Sequence, residues 1–148
     1  MTNYHVDASC YDHVTVIAFI EVRQDVLMRE RFFINYERTD TNIAEFHGVI
    51  LAARNAKMGA TIYTDCQSVC KSIRDKENSE LVREFLKISH KKSLKIKWER
   101  RNRNVYRSRV DYIVGQVAKN KFDLIQWEAY RYDYYLNKNR QYNGIFNR

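Results

Sequence analysis

Proline is absent from these 148 residues, and glycine occurs only four times. No turn is therefore preset by a pyrrolidine ring, and tight turns must rest on Asn, Asp and Ser chemistry. Cysteine is nearly as sparse. Cys10, Cys66 and Cys70 make an odd set with no CxxC pair, which argues against a disulfide scaffold or a CxxC metal knuckle. Reduced thiols in a cytoplasmic protein are expected. The longest apolar stretch, near VIAFI, is far short of the ~18 residues a membrane span needs. The opening MTNYHVDAS has no basic segment followed by an apolar one, so no secretory signal is expected. Internal repeats and low-complexity tracts are missing as well.

A chain of this length, 45% hydrophobic and 30% charged, suits one globular domain. Its net charge of +8 is concentrated in one place. Residues 87 to 109 hold ten Lys/Arg against a single acid, Glu99, a local surplus of nine, while the rest of the chain comes to −1. A focused basic block points to a polyanion such as nucleic acid; a solvated face is the structural alternative.

Three strand-like stretches come first: YHVDAS, HVTVIAFIEV and DVLMRERFFINYE. Short polar connections make them an antiparallel meander. The period then changes. In TDTNIAEFHGVILAARNAKMG, Ala44, Val49, Ala52, Ala53 and Ala56 recur at helical spacing, with Thr41 or Asn42 as cap and Gly59 as stop. ATIYTD reads as a short buried strand, CQSVCKSI as a short helix with Cys66 and Cys70 facing the core, and ELVREFLKISHKK as a helix capped by Ser79. LKIKW is a strand with Trp98 in the core, RNRNVYRS a loop, and RVDYIVGQVAKN a last helix. The order β-β-β-α-β-α-α-β-α predicts an α/β fold. Its five-stranded mixed sheet carries helices on its faces, because strand-helix-strand crossovers give parallel neighbours.

Four acids fall at matching places in that order. Asp7 lies on the first strand, Glu45 near the start of the first long helix, Asp65 at the end of the fourth strand, and Asp111 near the start of the last helix. With the first and fourth strands as parallel neighbours, Asp7 and Asp65 stand side by side. Clustered carboxylates repel and call for cations, and hard oxygen ligands suit Mg²⁺ or Mn²⁺. Two such ions suit in-line phosphoryl displacement. Three of the acids also have local alternatives. Asp65 could cap a helix from Cys66, Glu45 could close a capping box with Asn42, and Asp111 could answer a helix dipole. Asp7 interrupts a strand and has no capping role.

These motifs resemble the type 1 ribonuclease H family over roughly residues 1 to 120. VDAS is similar to the family's first-strand acid motif and TNIAE to its helix-start motif. YTDCQSV is close to its YTDSQxV box, with Cys66 where Ser is usual, and RVDYIVGQVAK is similar to its final helix. The resemblance implies a ribonuclease H-like sheet and an endoribonuclease that cleaves RNA paired with DNA and leaves a 5′-phosphate. It implies two divalent ions on Asp7, Glu45, Asp65 and Asp111. It also implies substrate contacts from Asn42 and Gln67. Arg100, Arg101, Arg103 and Arg107 of the basic block are expected to hold the hybrid's backbone. The chain departs from the family pattern in three respects. CYDHVTV replaces a glycine-rich stretch; the 46-residue gap from Asp65 to Asp111 is too short for the basic protrusion that bacterial members often carry; and the loop before the last acid has no His, with Arg107 where Asn is usual.

Residues 121 to 148 lie outside the resemblance and carry five of the eleven tyrosines. This aromatic and basic extension is expected to pack on the domain or extend it; stacking on single-stranded bases is the alternative. The four histidines are dispersed and read as structural or surface groups. A monomer with no small-molecule cofactor and no membrane partner is expected. Two other functions share the fold: another acid-cluster nuclease, such as a junction resolvase, and a non-catalytic nucleic-acid-binding module.

Overall fold

A computed structural model describes residues 1–119 and the backbone of 128–131. Strands β1 (Thr2–Tyr11), β2 (Val14–Arg23) and β3 (Val26–Asn35) form the expected antiparallel meander. Both hairpins use two-residue loops. Asp12 in the first, and Gln24 and Asp25 in the second, take the left-handed backbone that glycine usually supplies. In the second hairpin, positive φ at both central residues matches the twist of the flanking strands.

Helix α1 (Thr41–Asn55) leads to β4 (Thr61–Thr64), which pairs in parallel with β1. Helices α2 (Gln67–Arg74) and α3 (Glu80–Lys92) precede β5 (Lys95–Trp98), parallel to β4, and α4 (Val105–Ala118) follows. The five expected strands are all present. The backbone of Glu128–Arg131 adds a short sixth, β6, parallel to β3, giving the order β5-β4-β1-β2-β3-β6. The remainder of the extension anticipated at 121–148 lies outside the described residues.

Alternation along the strands sends side chains to two cores. Tyr4, Val6, Ile17 and Phe19 pack with α1, α2 and α3 on one face. Val16, Ala18, Ile20 and Phe32 pack with Val110, Ile113, Val114 and Val117 of α4 on the other. Helix α1 lies very close to the sheet at Gly48. A Cβ there would stand 2.9 Å from Val6 Cγ1 and 3.1 Å from Ile17 Cγ2.

Several local expectations are corrected. Asp40, not Thr41 or Asn42, caps α1, accepting from the backbone N–H of Asn42 and Ile43. The helix ends at Asn55 with Ala56 as its C-cap, and Gly59 serves the following turn at φ 76°. The segment read as a loop, RNRNVYRS, contains the first turn of α4. Asn104 caps that helix by accepting from the Arg107 N–H. Trp98 is not core but 45% exposed. Of α2, Val69 and Ile73 are buried, whereas Cys66 and Cys70 are only half-buried. Ser79 caps α3 as expected.

Candidate metal centre

The parallel pairing of β1 with β4 ends at Val6 and Thr64. Asp7 and Asp65 are the next residues on each chain, so the register sets them side by side. Asp7 points to the α4 face, because it alternates with Val6 and Ala8 of the opposite core. Glu45 enters from the first turns of α1, and Asp111 comes from the second turn of α4. Carboxylate oxygens of Asp7, Asp65 and Asp111 all lie within 4.8 Å of one another. Glu45 lines the same open cavity of about 760 Å³.

The capping alternatives fall away on geometry. Cys66 is the N-cap of α2, and its backbone N–H donates to Thr64 Oγ1 at 3.1 Å. The Asp65 side chain therefore has no part in that cap. Glu45 lies five residues beyond the true cap, Asp40, so no capping box forms with Asn42. No acid occupies the first turn of α4, and Asp111 sits too deep to act on its dipole end.

The acids are held against their electrostatic preference. Burial, then the neighbouring Glu45 and Asp111 carboxylates, keep Asp7 well above the usual carboxylate range, while Arg107 pulls the other way. Burial and the charge of Asp65 push Glu45 up to about 8. Asp65 is raised too, chiefly by burial. Glu45 Oε2 is buried and has no hydrogen-bond partner among the described residues. Clustered oxygen donors with raised proton affinity and one unsatisfied carboxylate oxygen fit hard divalent ions such as Mg²⁺ or Mn²⁺.

The other sequence candidates divide. Asn42 lies at the cavity rim, where its Oδ1 accepts from Ser68 Oγ at 2.5 Å and ties the start of α1 to the start of α2. Arg101 is exposed and reaches Asp65, Nε to Oδ2 at 3.9 Å. Gln67 lines a different cavity with Trp98, Lys71 and Arg74. Arg100 and Arg103 line a third cavity. Arg107 corrects the expectation most clearly. It was expected to touch a nucleic-acid backbone, yet it is fully buried and presents nothing to a ligand.

Arg107 instead forms an internal network. Its Nε donates to Asp111 Oδ1 at 3.2 Å, Nη1 lies 3.5 Å from Glu99 Oε1, and Nη2 donates to the carbonyl of Val6. Glu99 also meets His5 Nδ1 at 2.7 Å and accepts from Asn104 Nδ2 at 3.2 Å. His5 is stacked between Tyr63 and Tyr106, with centroids 5.2 and 5.6 Å away. Sequence reading missed this group. Its signals were the lone acid in a basic block, Glu99, and the cap spacing from Asn104 to Arg107.

No family model and no curated protein sequence matches the chain. Among solved structures, it superposes on RNase H1 from the halophilic archaeon Halobacterium salinarum NRC-1 with a TM-score of 0.63 and 16% identity. That match covers 80% of this chain and 98% of the other. The N-terminal RNase H domain of rv2228c from Mycobacterium tuberculosis gives a TM-score of 0.64 at 16% identity, over 80% of this chain and 96% of that one. Strand order, parallel β1–β4 pairing and these superpositions agree: the chain has the ribonuclease H-like fold.

Proposed function

We propose that the protein is a metal-dependent endoribonuclease that hydrolyses the RNA strand of RNA/DNA hybrids, giving 5′-phosphate ends. The observation that carries this reading is the convergence of Asp7, Asp65 and Asp111 within 4.8 Å, with Glu45 beside them and none of the four used as a helix cap. The two solved structures of similar fold are an RNase H1 and an RNase H domain, which supports the substrate class.

Asp7, Glu45, Asp65 and Asp111 are the groups that would hold two Mg²⁺ or Mn²⁺ ions. When bound, such ions supply Lewis acidity for in-line attack of water on a phosphodiester. The chain's own residues do the rest. Asp7 is paired with Ala18 of β2 and directly follows the stretch of β1 that is paired on both sides. Arg107 clamps Asp111 from within the core. Asn42 at the rim is positioned to meet the strand next to the scissile bond, and exposed Arg101 to draw its phosphates towards the acids. Free thiols at Cys10, Cys66 and Cys70 suit a reducing, cytoplasmic setting, and a monomer is the proposed working form. No helix among the described residues is long and apolar enough to cross a membrane.

A second reading has one observation in its favour. Arg107 already neutralises Asp111, which lowers that acid's need for a metal ion. A non-catalytic hybrid-binding module on the same fold would keep such a pair. The deciding experiment incubates the protein with a labelled RNA/DNA hybrid and with duplex DNA, in Mg²⁺ or Mn²⁺, beside Asp65→Asn. Metal-dependent cutting of only the hybrid's RNA, lost in the variant, supports the nuclease. Tight hybrid binding with no cutting in either metal leaves the binding module.

A further inference from the structure

Beyond the carboxylates, on the side of β1 where Asn3 and His5 lie, a separate cavity of about 420 Å³ opens between the sheet and the β5–α4 loop. Small-ligand sites run from roughly 300 to 1,000 Å³. Three aromatic residues, Tyr63, Trp98 and Tyr106, contribute to its walls. The exposed Arg100 and Arg103 come from the loop, and Asn3 and Asp25 from the start of β1 and the β2–β3 turn.

Two independent features point to a ligand. The side-chain oxygen of Asn3 is buried and has no hydrogen-bond partner among the described residues, and such an acceptor normally has a donor. Indole and phenol rings also line the same cavity as two exposed arginines, and the combination suits a base to stack on and a phosphate to pair with. Amino and ring N–H groups of a base can donate to Asn3 and to the Asp25 carboxylate. That carboxylate also disfavours a phosphate on its own side, so the phosphate belongs with the loop arginines.

We propose that this cavity binds one nucleotide unit, a purine 5′-monophosphate, with the base on the exposed Trp98 ring beside the His5-stacked Tyr63 and Tyr106, its N–H edge on Asn3, and the phosphate on Arg100 and Arg103. The unit is either a free nucleotide or an unpaired nucleotide at the end of a strand; both present the same chemistry. The site requires neither metal nor hydrolysis. It adjoins the carboxylate centre, because its wall residue His5 contacts Glu99, which contacts Arg107 and through it Asp111.

The test measures binding in EDTA, with the full chain, by chemical-shift changes at the Trp98 indole N–H and by calorimetry. The ligands are AMP, GMP, adenosine, inorganic phosphate, and two hybrids, one flush and one with a single unpaired 5′-phosphorylated purine. AMP or GMP is expected to bind more tightly than adenosine or phosphate. Asn3→Leu and the pair Arg100→Ala/Arg103→Ala should each weaken it about tenfold or more, while Lys71→Ala/Arg74→Ala, outside the cavity, leaves it unchanged. Circular dichroism and melting curves confirm that each variant folds. A hybrid preference for the unpaired nucleotide that Asn3→Leu abolishes assigns the site to strand ends; tighter binding of free AMP assigns it to free nucleotide. Absence of nucleotide binding at millimolar concentration overturns the proposal, as does binding matched by phosphate alone or insensitive to Asn3→Leu. Hybrid cleavage by the unaltered protein is scored separately, so a failed pocket leaves the nuclease reading standing, and the reverse.

Discussion

Arg107 and Asp111, one helical turn apart on α4, are joined by a hydrogen bond from Nε to Oδ1 at 3.2 Å, and the arginine side chain is wholly enclosed. An enclosed guanidinium is tolerable only because Asp111, Glu99 and the Val6 carbonyl surround it. Arg107→Met removes the cation and strands two acids. It is expected to destabilise the protein by about 3–5 kcal/mol, as read by urea unfolding. Arg107→Met combined with Glu99→Leu should recover part of that loss, because the two residues share one network. A single-variant loss below about 1 kcal/mol would mean that the network contributes little.

Asp7 and Glu45 make the metal-free protein sensitive to pH. Their folded-state proton affinities are raised, Glu45 to about 8. The folded state therefore holds protons that the unfolded chain has released between about pH 4 and pH 8. Stability should fall as pH rises through that window. Melting in EDTA is expected to occur several degrees lower at pH 8 than at pH 5.5; a shift of about 2–4 °C corresponds to roughly 1 kcal/mol at this size. Asp7→Asn should flatten the profile, and millimolar Mn²⁺ at pH 8 should raise the melting temperature of the unaltered protein only. A flat profile in EDTA would show that the acids are better solvated than their burial indicates.

Asp65 and Asp40 should separate function from stability. Asp65→Asn leaves the α2 cap intact, because Thr64 Oγ1 receives the Cys66 N–H. The variant should melt at or above the temperature of the unaltered protein and fail to cleave a hybrid. Asp40→Ala, by contrast, removes a true cap and should cost about 1 kcal/mol. Parallel melting and cleavage assays on the two variants check both claims.

Gly48→Ala tests how α1 is seated. The added methyl would meet Val6 Cγ1 at 2.9 Å and Ile17 Cγ2 at 3.1 Å, and overpacking of this kind costs about 1–3 kcal/mol. Glu45 is three residues back on the same helix, so lifting α1 also withdraws it from Asp7. Hybrid cleavage should drop although no carboxylate has changed. Full activity with full stability would mean that the helix has slack at this contact.

Much of this architecture was legible in the sequence because strand and helix periods are strong in it. Alternation marked β1 and β2, and the order of elements implied the parallel β1–β4 contact that pairs Asp7 with Asp65. The misreadings were local competitions. Thr41, Asn42 and Asp40 are all capping types, and only backbone geometry chooses Asp40. The basic and polar run RNRN directly ahead of α4 disguised its first turn, so Arg107 read as a surface cation when it lies inside. Trp98 alternates with Leu94 and Ile96, yet it is 45% exposed at the end of the short edge strand, with no covering layer among the described residues, and its indole N–H donates to the Asp65 carbonyl instead. Burial of a charge depends on partners distant in sequence. His5 and Glu99, 94 residues apart, illustrate why pattern alone missed the network.

The double pairing of β1 has a consequence for how the centre comes apart. From Asn3 to Val6, directly before Asp7, the strand is paired on both edges in the middle of the sheet, and the amides bonded there should exchange with deuterium only on global unfolding. Glu45 and Asp111 ride on helices that can fray or lift separately. The carboxylate cluster is thus built across two tiers of local stability, and it should be dismantled from its helical side first, with Asp7 the last carboxylate left in place.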